Sequence, residues 1–112
     1  KEDVKFSFNL DASENPNLDS KRAVNLFRVV QEIVNNAVKY ADASEIGIDL
    51  QYIDDMITVR IADNGRGFDY ETEKEKSFGL KNIESRMKAM NGRVHLDTEK
   101  GKGTVYTLQT EI

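Results

Sequence analysis

One stretch of the sequence places a carboxylate and an amide at helical spacing. Glu32 and Asn36 are four residues apart, so in a helix they are neighbours on a polar face shared with Arg28 and Lys39. Mg²⁺ prefers oxygen ligands and keeps several waters, so one amide oxygen together with ligand phosphates can hold it. A lysine beside such a site would neutralise phosphate charge. The plainer alternative for this face is a solvated surface with i, i+4 pairing.

A second stretch, Asp63-Asn64-Gly65-Arg66-Gly67, follows a run that alternates like a strand. An aspartate at a strand end can accept a hydrogen bond from an exocyclic amine such as that of adenine. Glycines allow the backbone to approach a flat ring or to adopt positive φ. Taken alone, this pattern is also typical of an ordinary turn.

Two further glycine stretches could bind phosphate or shape a turn. Gly79 and Leu80 begin a predicted helix, and free N–H groups and the helix dipole favour anions at such an end. Gly101-Lys102-Gly103-Thr104 precedes a predicted strand. Each of these stretches, taken alone, indicates no more than a turn.

The elements that must position these residues follow from hydrophobic periodicity. A helix over residues 21–40 is predicted after a cap at Asp19 or Ser20. Its predicted core-facing positions are Ala23, Leu26, Phe27, Val30, Ile33, Val34, Ala37, Val38 and Ala41. Strands are predicted over residues 4–10, 46–52, 57–61, 94–98 and 105–112, a long loop over 63–77, and a second helix over about 80–90. This order predicts an α/β fold, a two-layer α/β sandwich whose mixed sheet is covered by helices on one face.

Composition restricts the function classes. The 112 residues suffice for one domain, with 38% hydrophobic and 32% charged residues. A net charge of −4 argues against nucleic-acid partners, which require a basic face. There is no cysteine, and no apolar run reaches the roughly 20 residues of a membrane span. The chain opens without methionine, and we expect it to be cut from a longer protein.

The four stretches together form one ordered set: Glu-x-x-x-Asn, Asp-x-Gly-x-Gly, Gly-Leu and Gly-x-Gly-Thr. This set resembles the ATP-binding domain shared by gyrase-type ATPases, the heat-shock chaperone ATPase, histidine kinases and the MutL family, and implies their Bergerat-type fold. The runs VQEIVNNAVKY at 30–40 and GLKNIESRM at 79–87 are similar to histidine kinases, in the branch of nitrate-sensor and lipid-sensor type.

The resemblance implies a role for each motif residue, with ATP and Mg²⁺ bound. Asn36 would bind Mg²⁺ through its side-chain oxygen, and Glu32 would orient the metal's water or assist the incoming histidine. The implied nucleotide-binding residues are Asn36, Lys39, Tyr40, Asp63, Gly65, Gly67, Gly79, Leu80 and Thr104. Among them, Tyr40 would pack on the adenine. Residues 68–77 would form a lid, in which Ser77 departs from a frequent family glycine.

The implied reaction is transfer of the γ-phosphoryl group of ATP to a histidine outside this chain. His95, the only histidine, falls in a predicted strand, so we expect it to be structural. The implied partners are the dimerisation and phosphoacceptor domain of the same protein and a downstream response regulator. We expect residues 1–112 to be one cytoplasmic catalytic domain, monomeric alone, within a homodimeric parent that a membrane could anchor.

Three alternatives remain open at this stage. An anti-sigma-factor-type serine kinase shares the glycine motifs but uses another acceptor. A degenerate module would hold nucleotide, or nothing, and serve only for docking. A plain structural α/β domain would leave the ordered set of motifs as coincidence.

Overall fold

The computed structural model describes residues 3–12, 17–68 and 78–111. The elements of this part of the chain are β1 (Lys5–Ala12), α1 (Ser20–Lys39), β2 (Glu45–Ile53), β3 (Met56–Asp63), α2 (Phe78–Ala89), β4 (Arg93–Thr98) and β5 (Thr104–Glu111). Each element predicted from the periodicity is present, with ends displaced by one or two residues. The expected lid beyond residue 68 and the expected last strand residue, Ile112, lie outside the described residues.

The described strands form one five-stranded sheet in the order β1-β2-β3-β5-β4. β1 and β2 are parallel because α1 connects them as a crossover. The remaining neighbours are antiparallel. The inner sheet face and the two helices enclose the core. The predicted two-layer sandwich with a mixed sheet covered on one face is therefore confirmed.

The helix α1 begins at a capped end and buries a narrower stripe than its periodicity predicts. The side chain of Asp19 accepts a hydrogen bond of 2.8 Å from the Arg22 backbone N–H. The core prediction was wrong for Phe27, which is 65% exposed, whereas Val29 is fully buried. The apolar stripe of α1 is wider than the surface that contacts the rest of the protein. Val29 lies on the flank of α1 that packs on α2, whereas Phe27 lies on the other flank and is exposed.

Polar contacts between the helices and β5 fix the direction of both helices. Arg22 at the start of α1 donates to the Thr110 hydroxyl at 2.8 Å, and that hydroxyl donates to the Met90 carbonyl at 3.3 Å. Asn25 donates to the Arg86 carbonyl at 2.7 Å. The end of α1 and the start of α2 therefore both point toward the end of the sheet at which β3 finishes and β5 begins.

Among the described residues, no helix combines the length and the apolar character that crossing a membrane requires.

Candidate functional site

Asp63 ends β3 and faces Thr104, the first residue of β5, as its register partner. Its Oδ1 accepts a hydrogen bond of 2.8 Å from the Gly65 backbone N–H. Burial raises the pKa of the Asp63 carboxyl above its ordinary value, and hydrogen bonds from the backbones of Gly65 and Thr104 partly oppose that rise. The result is a partly desolvated acceptor at the end of the sheet, and such a group gains strongly from a ligand N–H donor.

The two motif glycines after Asp63 allow three chain segments to meet. Gly67 has φ of +61°, and a Cβ there would overlap the Glu99 carbonyl oxygen. A Cβ at Gly65 would lie 2.5 Å from the Ala41 carbonyl oxygen. Both glycines therefore have a structural role without any ligand: they pack this loop against the end of α1 and the β4–β5 turn.

Two residues between the motif positions hold this loop in place, and the sequence did not single them out. The Arg66 guanidinium donates to the Tyr40 carbonyl, with Nε at 2.8 Å and Nη2 at 2.6 Å. The Asn64 Oδ1 accepts from the backbone N–H groups of Ser44 and Glu45, each at 2.9 Å. Loop residues of these types make such contacts through tertiary placement, which periodicity does not reveal.

The polar face of α1 divides into a half-buried and an exposed part. Glu32 and Asn36 are half-buried, on the flank that carries Asn25 toward α2. Lys39 is exposed in the last turn, and Tyr40, the C-cap residue, is 68% exposed. The predicted carboxylate and amide therefore face the gap between the two helices, whereas the lysine and tyrosine lie at its solvent side.

The first turn of α2 and the start of β5 complete this end of the molecule. Gly79 is half-buried and Leu80 is 5% exposed, and both lie in the first turn of α2. Thr104 is buried, with its hydroxyl 2.9 Å from that of Thr98. The Asp63 loop contacts the end of α1 and the β4–β5 turn. The start of α2 lies at the same end of the sandwich, because the other end of that helix lies beside Thr110.

The side-chain oxygens at this end suit a metal ion whose other ligands come from phosphate oxygens and water. Glu32 and Asn36 supply one carboxylate and one amide oxygen, and no cluster of three or more His, Cys, Asp or Glu exists within the described residues. Mg²⁺ needs few protein ligands when phosphate oxygens and water complete its octahedron. His95 is exposed on β4 as the register partner of Thr107, and it lines a cavity together with Leu80 of α2. Its expected structural role stays a prediction.

The fold and this arrangement define an ATPase-type α/β domain, and comparison with known proteins gives the family. Residues 21–111 match the family of histidine kinase-, DNA gyrase B- and HSP90-like ATPases. The chain belongs to this family.

Curated relatives place it on the histidine kinase side of the family. It is 38% identical over 97 residues to the sensor histidine kinase ComP of Bacillus subtilis (strain 168), covering 85% of this chain and 13% of ComP. It is 34% identical over 113 residues to the signal transduction histidine-protein kinase/phosphatase DegS of the same organism, covering 97% of this chain and 29% of DegS. The chain therefore spans less than a third of each relative. It is a histidine kinase-type ATPase domain, and its nitrate-sensor or lipid-sensor branch stays a prediction.

Solved structures agree in fold. The full-length ShkA structure in complex with AMPPNP matches with a TM-score of 0.77 at 19% identity, over 96% of this chain and 25% of that chain. The histidine kinase domain of the blue-light activated kinase from Erythrobacter litoralis EL346 matches with a TM-score of 0.73 at 18% identity, over 95% of this chain and 51% of that chain. At these identities the likeness concerns the fold alone.

Proposed function

We propose that this domain binds ATP with Mg²⁺ and donates the γ-phosphoryl group to a histidine on the dimerisation domain of its parent protein, in two-component signalling. The observation that carries the proposal is the partly desolvated carboxylate of Asp63 at the end of the sandwich to which the four motif stretches also belong. The similarity to the histidine kinases ComP and DegS supports the kinase reaction, and the AMPPNP bound to ShkA supports the ligand.

The base of ATP would bind at the end of β3. Asp63 accepts a hydrogen bond from the exocyclic amine of adenine, which replaces hydration that burial has removed. Thr104 lines the same place because it is the register partner of Asp63. Gly65 and Gly67 keep the loop close to the end of α1, and Tyr40 offers an exposed ring for packing on the adenine.

The phosphates and the metal would lie between the two helices. Asn36 would ligate Mg²⁺ through its amide oxygen, and the bound Mg²⁺ would neutralise charge on the transferring group. Lys39 adds a point charge from the last turn of α1. Gly79 and Leu80 bring the positive end of the α2 dipole toward the phosphates.

The transfer itself needs positioning more than covalent chemistry. Glu32 lies one helical turn before Asn36 and is half-buried on the same flank. From there Glu32 would orient a water of the metal or assist the incoming histidine nitrogen. His95 is not the acceptor in this proposal, because the acceptor histidine lies on the dimerisation domain of the parent protein.

The remaining features of the proposal concern the parent protein. The acceptor domain belongs to the same polypeptide, dimerises the parent and passes the phosphoryl group to a response regulator. The 112-residue domain works in the cytoplasm, where ATP is available, and is monomeric alone.

Phosphotransfer in trans tests the proposal and separates it from its alternatives. The domain is incubated with Mg²⁺, γ-labelled ATP and the purified dimerisation domain of the parent, and the label is followed through acid and base. An acid-labile, base-stable label that is absent with Asn36→Ala supports histidine transfer. An acid-stable label indicates a serine kinase, and no label despite ATP binding indicates a non-catalytic module; either result would refute the proposed reaction.

A further inference from the structure

Tyr106 lies beside Asp63 on the inner face of the sheet. It is the register partner of Ile61 on β3 and lies two residues after Thr104 on β5. Since Asp63 pairs with Thr104, Asp63 and Tyr106 are diagonal neighbours on one face. Such residues are about 7–8 Å apart, within the reach of an aromatic side chain.

The Tyr106 side chain is buried, but its hydroxyl opens into a cavity. Tyr106 is 5% exposed and lines a cavity of about 280 Å³, whose other lining residues are Leu80, Ile83, Glu84, Val94, His95 and Leu96. The hydroxyl makes no hydrogen bond with the described residues, yet none of their polar side-chain atoms is sealed from solvent without a partner. The oxygen therefore reaches the cavity, which Leu80 connects to the candidate nucleotide site.

The surroundings keep this hydroxyl protonated. Burial, and then the negative charges of Asp63, Glu32 and Glu84, raise the pKa of Tyr106 well above its ordinary value. A phenol held neutral at every physiological pH has a proton to donate. The inner face thus presents an acceptor, Asp63, beside a donor, Tyr106.

The acceptor Asp63 and the donor Tyr106 match the hydrogen-bonding edge of adenine and not that of hypoxanthine or guanine. Adenine carries an amine donor next to the ring nitrogen N1, which is an acceptor, whereas hypoxanthine and guanine carry a carbonyl next to an N1–H. We propose that Tyr106 is a specificity-determining residue whose hydroxyl donates to N1 of adenine while Asp63 accepts from the neighbouring amine. The inference rests on the proposed ATP binding and adds the residue that hydrogen-bonds to N1 of the adenine ring.

A two-by-two comparison of ligand and protein tests the contact. ATP and 1-deaza-ATP, which has a C–H in place of N1, are titrated by calorimetry into the wild type and into Tyr106→Phe, with Mg²⁺ present. One hydrogen bond corresponds to a change of about 2- to 10-fold in Kd. We expect that loss for ATP in Tyr106→Phe, the same loss for 1-deaza-ATP in the wild type, and no further loss when both changes are combined.

The matched control is Tyr52→Phe. The Tyr52 hydroxyl donates to Asp55 at 3.3 Å, beside the β2–β3 turn at the other end of the strands, so its removal should leave both affinities unchanged. Thermal unfolding of each variant confirms that it is folded. If Tyr106→Phe does not fold, the wild-type ratio decides: equal affinities for the two ligands overturn the contact.

The outcomes separate this inference from the proposed function. Wild-type protein that binds neither ligand refutes ATP binding, and the Tyr106 contact with it. Wild-type protein that binds ATP, with Tyr106→Phe equally tight, refutes the Tyr106 contact alone. Losses that multiply when both changes are combined also overturn it, because the hydroxyl and N1 would then act independently.

Discussion

The guanidinium of Arg66 donates two hydrogen bonds, of 2.8 and 2.6 Å, to the carbonyl oxygen of Tyr40. Tyr40 caps α1, the helix that carries Asn36, and Arg66 lies in the loop that follows Asp63. A cation at a helix C-terminus also interacts favourably with the helix dipole. Arg66 therefore links the helix that carries Asn36, the candidate metal ligand, to the loop that follows Asp63, the candidate acceptor for the base.

Replacing Arg66 should loosen this connection. Arg66→Met removes both hydrogen bonds, and we expect the free energy of unfolding to fall by about 1 kcal/mol and the ATP affinity to fall a few-fold. Urea unfolding and calorimetry measure the two effects. The control is Arg60→Met. Within the described residues Arg60 forms an exposed pair with Asp49 at 3.8 Å, and its replacement should cost less than about 0.5 kcal/mol. Equal losses in both variants would contradict the role of Arg66.

The motif glycine Gly67 can be compared with a glycine that has the same backbone requirement. Gly67 and Gly101 have φ of +61° and +87°, but only Gly67 would place a Cβ against backbone, on the Glu99 carbonyl. Gly101→Ala should cost about 1–2 kcal/mol for the left-handed conformation alone. Gly67→Ala should cost clearly more, at least about 3 kcal/mol. Chemical denaturation measures both, and similar values would show that the close approach carries no energetic weight.

The raised pKa of Asp63 predicts a pH dependence of stability. Because burial raises this pKa above 3.8, the stability associated with the protonated carboxyl is fully present below about pH 4. It is lost as the pH rises through the raised pKa. Asp63→Asn keeps an oxygen that can accept from Gly65 but does not titrate, so its Tm minus that of the wild type should increase from about pH 4 toward pH 7. A difference that stays flat or falls over this range would contradict a desolvated carboxylate.

Two residues that share the predicted core face of α1 should differ in their effect on stability. Ile33 is 2% exposed and Phe27 is 65% exposed. Ile33→Ala should cost about 2–5 kcal/mol through lost burial and a cavity, and Phe27→Ala should stay within about 0.5 kcal/mol. Urea unfolding of both variants provides the comparison. A large loss for Phe27→Ala would place that side chain in a packed environment.

The contrast between Ile33 and Phe27 also shows how far periodicity reaches. Alternating and helical patterns predicted each described element and the one-sided covering of the sheet, because burial of one face imposes those periods. The helical pattern placed Phe27 on the core face and left Val29 out, whereas the structure buries Val29 and exposes Phe27. Whether each of these two side chains is buried depends on which element packs against its flank of α1, and tertiary packing is not visible in the periodicity.

The candidate site was predictable where it consists of ordered motifs. Asn36, Asp63, Gly79 and Thr104 were singled out from type and spacing. The structure pairs Asp63 with Thr104, and the binding roles of all four residues stay predictions. Tyr106 was not singled out, although it lies two residues from Thr104 and so shares its face. A tyrosine in an alternating strand is usually part of the core, and only the position of Tyr106 diagonal to Asp63 suggests the proposed role of its hydroxyl.

Calorimetric titration of ATP with Mg²⁺ into the wild type and Asp63→Asn is the most direct test of the central claim. The account predicts micromolar to sub-millimolar binding by the wild type, in the range of about 1 μM to 1 mM. It predicts that this binding collapses in Asp63→Asn while the variant remains folded. Absence of binding to the folded wild type, or undiminished binding by the variant, would contradict an adenine site at Asp63.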